Sequence, residues 1–171
     1  HDPAVAHAVI EDIKNKHPDH VALTGDIVNV AAHDEFPLAA RFLGRLGAPD
    51  WVSFVPGNHD AYVRCPWEQG LGHLAEYMAG DYKVKQPQVT HQIATPFPYV
   101  RLRRNIALIG LASGTPQSLF KAGGTLGEGQ RQALALLLRE LKDRGYARVV
   151  MIHHPPLPGL ATPRKALTDA A

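Results

Sequence analysis

The chain has 171 residues, about one domain's length, with 45% hydrophobic and 20% charged residues, a balance that excludes wholesale disorder and a coiled coil. No apolar run approaches the roughly 18 residues of a membrane span. A net charge of +2 indicates no nucleic-acid polymer, and a lone cysteine, Cys65, excludes a disulfide framework. A globular domain, expected in the cytoplasm, remains.

Asp2 and Pro3 open a helix whose Ala6, Val9, Ile10 and Ile13 share one stripe, and Lys14, Lys16 and Pro18 close it. Val21-Ala22-Leu23-Thr24 is too short for a helix and stops at Gly25, which predicts a buried strand. Helical spacing returns over residues 34–46 through Ala39, Phe42, Leu43 and Leu46. A second strand follows at 51–55, ended by Pro56-Gly57. Trp67, Leu71, Leu74, Ala75 and Met78 predict a helix within 66–78, weakened by Gly70 and Gly72. Residues 99–102 and 106–111 read as two strands joined by Arg103-Arg104-Asn105. Thr125-Leu126-Gly127-Glu128 matches a capping box ahead of Leu134, Leu137, Leu138 and Leu141, a helix closed by Gly145. Residues 149–152 form the last predicted strand, and Thr168-Asp169-Ala170-Ala171 looks like the cap and first turn of another helix.

Helices alternating with short apolar strands predict an α/β architecture with strands covered on both faces. The pattern begins at a helix cap with no strand before it and ends at one with no strand after it. A single domain over 1–171 is therefore expected, incomplete at both ends: the first strand and the last helix and strand are lacking.

In open α/β sheets, functional groups gather in loops at the carboxyl ends of strands. Three predicted strands run into metal-ligand residue types: Gly25-Asp26, Gly57-Asn58-His59-Asp60 and His153-His154-Pro155. Each has a plain structural reading by itself, as a turn, a cap or a strand exit. Their joint occurrence at one end of the presumed sheet points to chemistry instead. Carboxylate, amide oxygen and imidazole without thiolate suit Mn, Fe or Zn and argue against a zinc finger or an iron–sulfur site. One carboxylate can bridge two cations about 3.5–4 Å apart, the arrangement of two-metal phosphoester hydrolysis.

In order and context these segments resemble three of the five signature motifs of the calcineurin-like metallophosphoesterases, over most of the chain from Val21 to Pro156. Within that family the sequence looks most like the bacterial cyclic-nucleotide phosphodiesterase branch. The resemblance implies a four-layer α/β/β/α sandwich of two mixed sheets. It also implies binuclear metal-dependent hydrolysis of a phosphodiester or phosphomonoester by a metal-bridging hydroxide. On that pattern Asp26 bridges both metals, Asn58 and His153 ligate the second, and His59 is not a ligand but the general acid, with Asp60 orienting its ring. Asn29 is expected to orient a ligand through a hydrogen bond, and His154 to stand behind the ligands or serve as a plain loop residue. Two divalent or mixed-valence transition metals are implied, Mn or Fe ahead of Zn, with a small-molecule phosphoester as substrate.

The family's Asp-x-His and Gly-His-x-His motifs have no counterpart in the sequence, so Asp26, Asn58 and His153 are expected to form only part of a ligand shell. A non-catalytic protein-interaction scaffold on the same fold is the alternative. His1, His7, His17, His20, His33, His73 and His91 read as solvated or helix-end groups, and Arg101, Arg103 and Arg104 as a solvated hairpin. Trp67, Tyr77 and Met78 read as packing residues. The motifs act on the phosphoryl group and leave the rest of the substrate open among cyclic nucleotide, glycerophosphodiester, nucleotide and phosphoprotein. Oligomeric state is not legible.

Overall fold

Apolar runs become strands and amphipathic stripes become helices in nearly the expected order. The computed structural model describes residues 3–84, 96–116 and 122–170, so the predicted cap at Asp2, together with His1, His91 and Ala171, lies outside the described residues. Helix α1 spans Pro3–Asn15, strand β1 Val21–Leu23, helix α2 Glu35–Leu46 and strand β2 Val52–Phe54. β1 and β2 pair in parallel, with Val21 opposite Val52 and Leu23 opposite Phe54. Helix α2 buries Phe36, Ala39, Leu43 and Leu46 in a cluster with Val52, Phe54 and Val55. Each of these side chains larger than Ala39 contributes about 1.5–3 kcal/mol when fully buried.

The second sheet holds β3 (Tyr99–Arg103), β4 (Ile106–Gly110) and β5 (Ala147–Met151). β3 and β4 run antiparallel and β5 lies parallel to β4, with helix α3 (Gly127–Asp143) as the crossover between β4 and β5. The period of two along a strand sends alternate side chains to opposite faces. Tyr99, Leu108 and Met151 join the core beneath β2 and α2, whereas Val100, Ala107 and Ile109 pack with Leu137 and Leu141 of α3. Two sheets with flanking helices thus form the expected α/β fold. Among the described residues no helix is long and apolar enough to cross a membrane.

Several segments depart from their local signals. The helix expected within 66–78 is two 3-10 helices rather than one α-helix, Trp67–Gln69 and Leu71–Met78. Gly70 leaves helical backbone space at φ −121°, ψ −119°, and a Cβ on Gly72 would stand 2.5 Å from the Trp67 carbonyl oxygen. Tyr77 and Met78 are nonetheless buried packing residues. The capping box ahead of α3 does not close, because Leu126 at the N-cap makes no side-chain cap bond. Asp169 supplies the cap, accepting N–H bonds from Leu126 (3.0 Å) and Gly127 (2.8 Å). Residues 168 and 169 form a turn whose Asp169 carboxylate satisfies donors at the start of α3. β1 is only half-buried, and β5, at the sheet edge, exposes Val149 and Val150.

Arg101 is no solvated hairpin residue. It is buried, and its guanidinium donates to the carbonyls of Ala79 (2.6 Å), Val52 (2.7 Å), Glu76 (2.7 Å) and Pro49. Five fixed donors suit a point where several chain segments present carbonyls with no other partner.

His20 also departs from the solvated reading. Its Nε2 lies 2.8 Å from Ser53 Oγ, while its buried Nδ1 has no partner. Burial first, then the nearby charges of Arg103 and Arg101, lower its pKa from 6.5 to about 4. A pKa lower in the folded than in the unfolded chain means that the unfolded state binds more protons between those values. Stability is therefore full above about pH 6.5 and falls as the pH drops toward 4. For a partly solvated ring the loss is expected to be about 1 kcal/mol. His20→Asn should shrink the difference between urea midpoints at pH 7 and pH 4.5, and an unchanged difference would refute the assignment.

Candidate metal centre

β1 and β2 lie side by side and parallel, so the loops that follow them leave the sheet at the same end. Gly25 (φ +97°) and Asp26 (φ +61°) turn the chain through left-handed backbone, which Gly adopts freely and Asp tolerates. The two loops touch because neither facing residue has a side chain. A Cβ on Gly25 would stand 2.4 Å from Gly57 N, and one on Gly57 would stand 2.2 Å from Asp26 Oδ1. Asp60 then ties the loops together. Its Oδ2 accepts the N–H groups of Asp26 and Gly57, both at 2.7 Å, and its Oδ1 accepts those of Ile27 (2.9 Å) and Val28 (3.1 Å). Burial raises the Asp60 pKa, and those four donors oppose the shift.

Residues from three strand ends converge here. His153, just past β5, has its Nδ1 2.6 Å from the Thr24 carbonyl oxygen. A carbonyl only accepts, so Nδ1 carries a hydrogen and Nε2 is left for another partner. Nε2 faces two oxygens, Asn58 Oδ1 at 3.2 Å and Asp26 Oδ2 at 3.5 Å. In the neutral ring this puts three lone-pair atoms face to face, an arrangement relieved by a positive centre among them. Ligand atoms about 2.1 Å from one ion stand about 3.0–3.4 Å apart at octahedral to tetrahedral angles, close to the observed spacings. Asp26, Asn58 and His153 therefore fit a cation. Among the described residues no group of three His, Cys, Asp or Glu side chains is placed to hold a metal ion; the set here is two such residues and an amide.

His59 stands beside this group, its backbone N–H donating to Asp26 Oδ1 at 3.0 Å. Its ring is oriented differently from the expectation. Nδ1 donates to the backbone carbonyl of Asn29, while both Asp60 oxygens are committed to the loop N–H groups. Asp60 shapes the loops and Asn29 holds the ring, because the tight 57–60 turn folds the Asp60 carboxylate back under its own backbone. Asn29 was expected to act on a ligand; the contact it makes is through its main chain, to His59. His154 is not an exposed loop residue. It is buried, with Nδ1 2.7 Å from Ser113 Oγ and Nε2 3.0 Å from the Ala122 carbonyl oxygen. Its ring meets that of His153 edge-on, 4.9 Å between centroids, so it backs the ligand ring while anchoring the segments at 113 and 122. Sequence reasoning missed Thr24, whose carbonyl sets the His153 tautomer.

A family model described as calcineurin-like phosphoesterase matches residues 4–169, a span that contains all three strand-end segments. The chain belongs to the calcineurin-like phosphoesterase family. This calcineurin-like phosphoesterase chain is also similar to a glycerophosphodiester phosphodiesterase, GpdQ, of Enterobacter lignolyticus (strain SCF1). The two are 30% identical over 142 residues, which is 82% of this chain and 43% of that protein. The chain thus spans less than half the length of that relative.

Proposed function

We propose that this chain carries part of the metal centre, and the general acid, of a phosphodiesterase that uses two divalent or mixed-valence transition metals, Mn or Fe ahead of Zn. The observation that carries the reading is the approach of His153 Nε2 to Asn58 Oδ1 and Asp26 Oδ2 beside the His59 ring. Asp26, exposed at the loop tip, would be shared between the metals, and Asn58 and His153 would hold one of them. When bound, such ions lower the pKa of an attacking water and polarise the phosphoryl oxygens. The chain's own residues do the rest. Thr24 fixes the His153 ring with Nε2 toward the centre, and Asn29, by accepting from Nδ1, fixes the His59 ring so that its imidazolium form, protonated on both nitrogens, would give the Nε2 proton to the departing oxygen.

A small phosphodiester is the proposed substrate, supported by the name of the similar protein. Site and substrate require no nucleic-acid polymer, and a cytoplasmic location belongs to the same proposal. Metal analysis of the full-length protein, paired with hydrolysis of bis(4-nitrophenyl) phosphate in Mn²⁺ or Fe²⁺, tests it. Near two transition metals per chain are expected, and Asp26→Ala should lower both metal content and rate. A metal-free protein that cleaves neither a phosphodiester nor a phosphomonoester would leave the protein-interaction scaffold as the surviving reading.

A further inference from the structure

The loop joining β1 to α2 forms no regular structure, yet its backbone donors are almost all used. Of the seven N–H groups in residues 26–32, six are accepted by two carboxylates. Asp60 takes those of Asp26, Ile27 and Val28. Glu35 takes those of Asn29 (3.1 Å), Val30 (3.1 Å) and Ala32 (3.0 Å). The remaining residue, Ala31, is buried at φ +58°, a left-handed conformation that costs alanine about 1 kcal/mol and persists only where the surroundings enforce it. A carboxylate that accepts three N–H groups bends the backbone around itself, and the carbonyls of the bent segment point outward. The carbonyl of Asn29, on the outer side of the Glu35 clamp, is the acceptor for His59 Nδ1.

We propose that Glu35 is a positioning residue for the general acid. Its carboxylate holds residues 29–32 in the one shape that presents the Asn29 carbonyl to His59, and so directs His59 Nε2 toward the leaving oxygen. The assignment rests on the phosphodiesterase reading above. Glu35 touches neither the ligand set nor any substrate, and its side chain reaches the site only through three N–H bonds and one carbonyl. Asp34, the exposed N-cap residue of the same helix, makes no side-chain cap bond and serves as the internal control.

Loss of a general acid has a signature that a general loss of structure lacks. Nitrophenolate leaves readily without a proton, whereas phenolate is a poorer leaving group and needs one more, so the defect should grow as the leaving group worsens. The test measures kcat of the metal-loaded, full-length protein on bis(4-nitrophenyl) phosphate and on diphenyl phosphate, for the wild type and for His59→Ala, Glu35→Gln, Glu35→Asp and Asp34→Asn. Metal content and thermal midpoint are read on the same samples. The wild type should cleave both substrates, and His59→Ala should lose far more on diphenyl phosphate. Glu35→Gln should show the same selectivity, about 10-fold down on diphenyl phosphate with little change on the nitrophenyl ester, at unchanged metal content. Glu35→Asp, which keeps the carboxylate on a shorter arm, should recover part of that loss, and Asp34→Asn should match the wild type.

An equal fall of Glu35→Gln on both substrates, or no fall, overturns the assignment while leaving the phosphodiesterase reading intact. Should Glu35→Gln not fold, the ratio of the two rates in Glu35→Asp decides in the same way. A wild type that cleaves neither substrate, or a His59→Ala variant equal to it, defeats the phosphodiesterase reading and the Glu35 assignment with it.

Discussion

Replacing Asp60 with alanine should lower folding stability by about 3–5 kcal/mol and remove the metal centre along with it. The side chain is buried, and its oxygens accept four backbone N–H groups from two different loops. Each donor left without an acceptor costs about 1–3 kcal/mol, and water entering from the exposed Asp26 side recovers part of the sum. Asp60→Asn keeps one accepting oxygen and should cost about half as much. The consequence reaches the site because three of the four donors belong to residues 26–28, so the Asp26 carboxylate moves when they are released. A misplacement of about 1 Å in such a group is enough to cost about 100-fold in rate. Urea unfolding and metal content of the purified variants check both parts. A stability change below about 1 kcal/mol in Asp60→Ala would show that the loops are held by something else.

On diphenyl phosphate, whose leaving group needs a proton, His59→Ala should lower kcat by about 10²–10⁴-fold, the usual worth of a general acid, or about 2.7–5.5 kcal/mol in the barrier at about 1.36 kcal/mol per tenfold. The ring is half-buried and outside the ligand set, so metal content and thermal midpoint should stay at wild-type values. Proton donation acts in the transition state, and KM should therefore change much less than kcat. Steady-state kinetics alongside metal analysis separate the two roles a histidine can play here. Loss of metal in His59→Ala would make it a ligand, and a fall of less than about 10-fold on diphenyl phosphate would remove it from the acid role.

Much of the fold could be read locally. The stripe at Ala39, Leu43 and Leu46 is buried in α2, a turn at Arg104-Asn105 joins β3 to β4 with Arg103 already in the strand, and Gly145 at φ +82° ends α3. Such features depend on neighbours within a few residues, where periodicity and turn chemistry are encoded. Local signals failed where a distant partner took over. Asp169 displaced the capping box 43 residues upstream, and Arg101 was drawn inside by carbonyls from two other segments, 49–52 and 76–79. β5 has the apolar composition of a buried strand, yet it lies at the sheet edge and exposes Val149 and Val150.

The candidate centre divides along the same line. Residue types and their place after strands are sequence properties, and they single out Asp26, Asn58, His59 and His153, which the structure brings together. Which nitrogen of His153 faces the centre, and what holds His59, depend on the Thr24 carbonyl 129 residues away and the Asn29 carbonyl 30 residues away. The role expected of Asp60 at His59 went to a main-chain carbonyl, which no side-chain pattern reveals. Chemical identity is written into each residue, but the direction in which a ring nitrogen or a carboxylate points is set by backbone groups that meet it only after the loops close on Gly25 and Gly57.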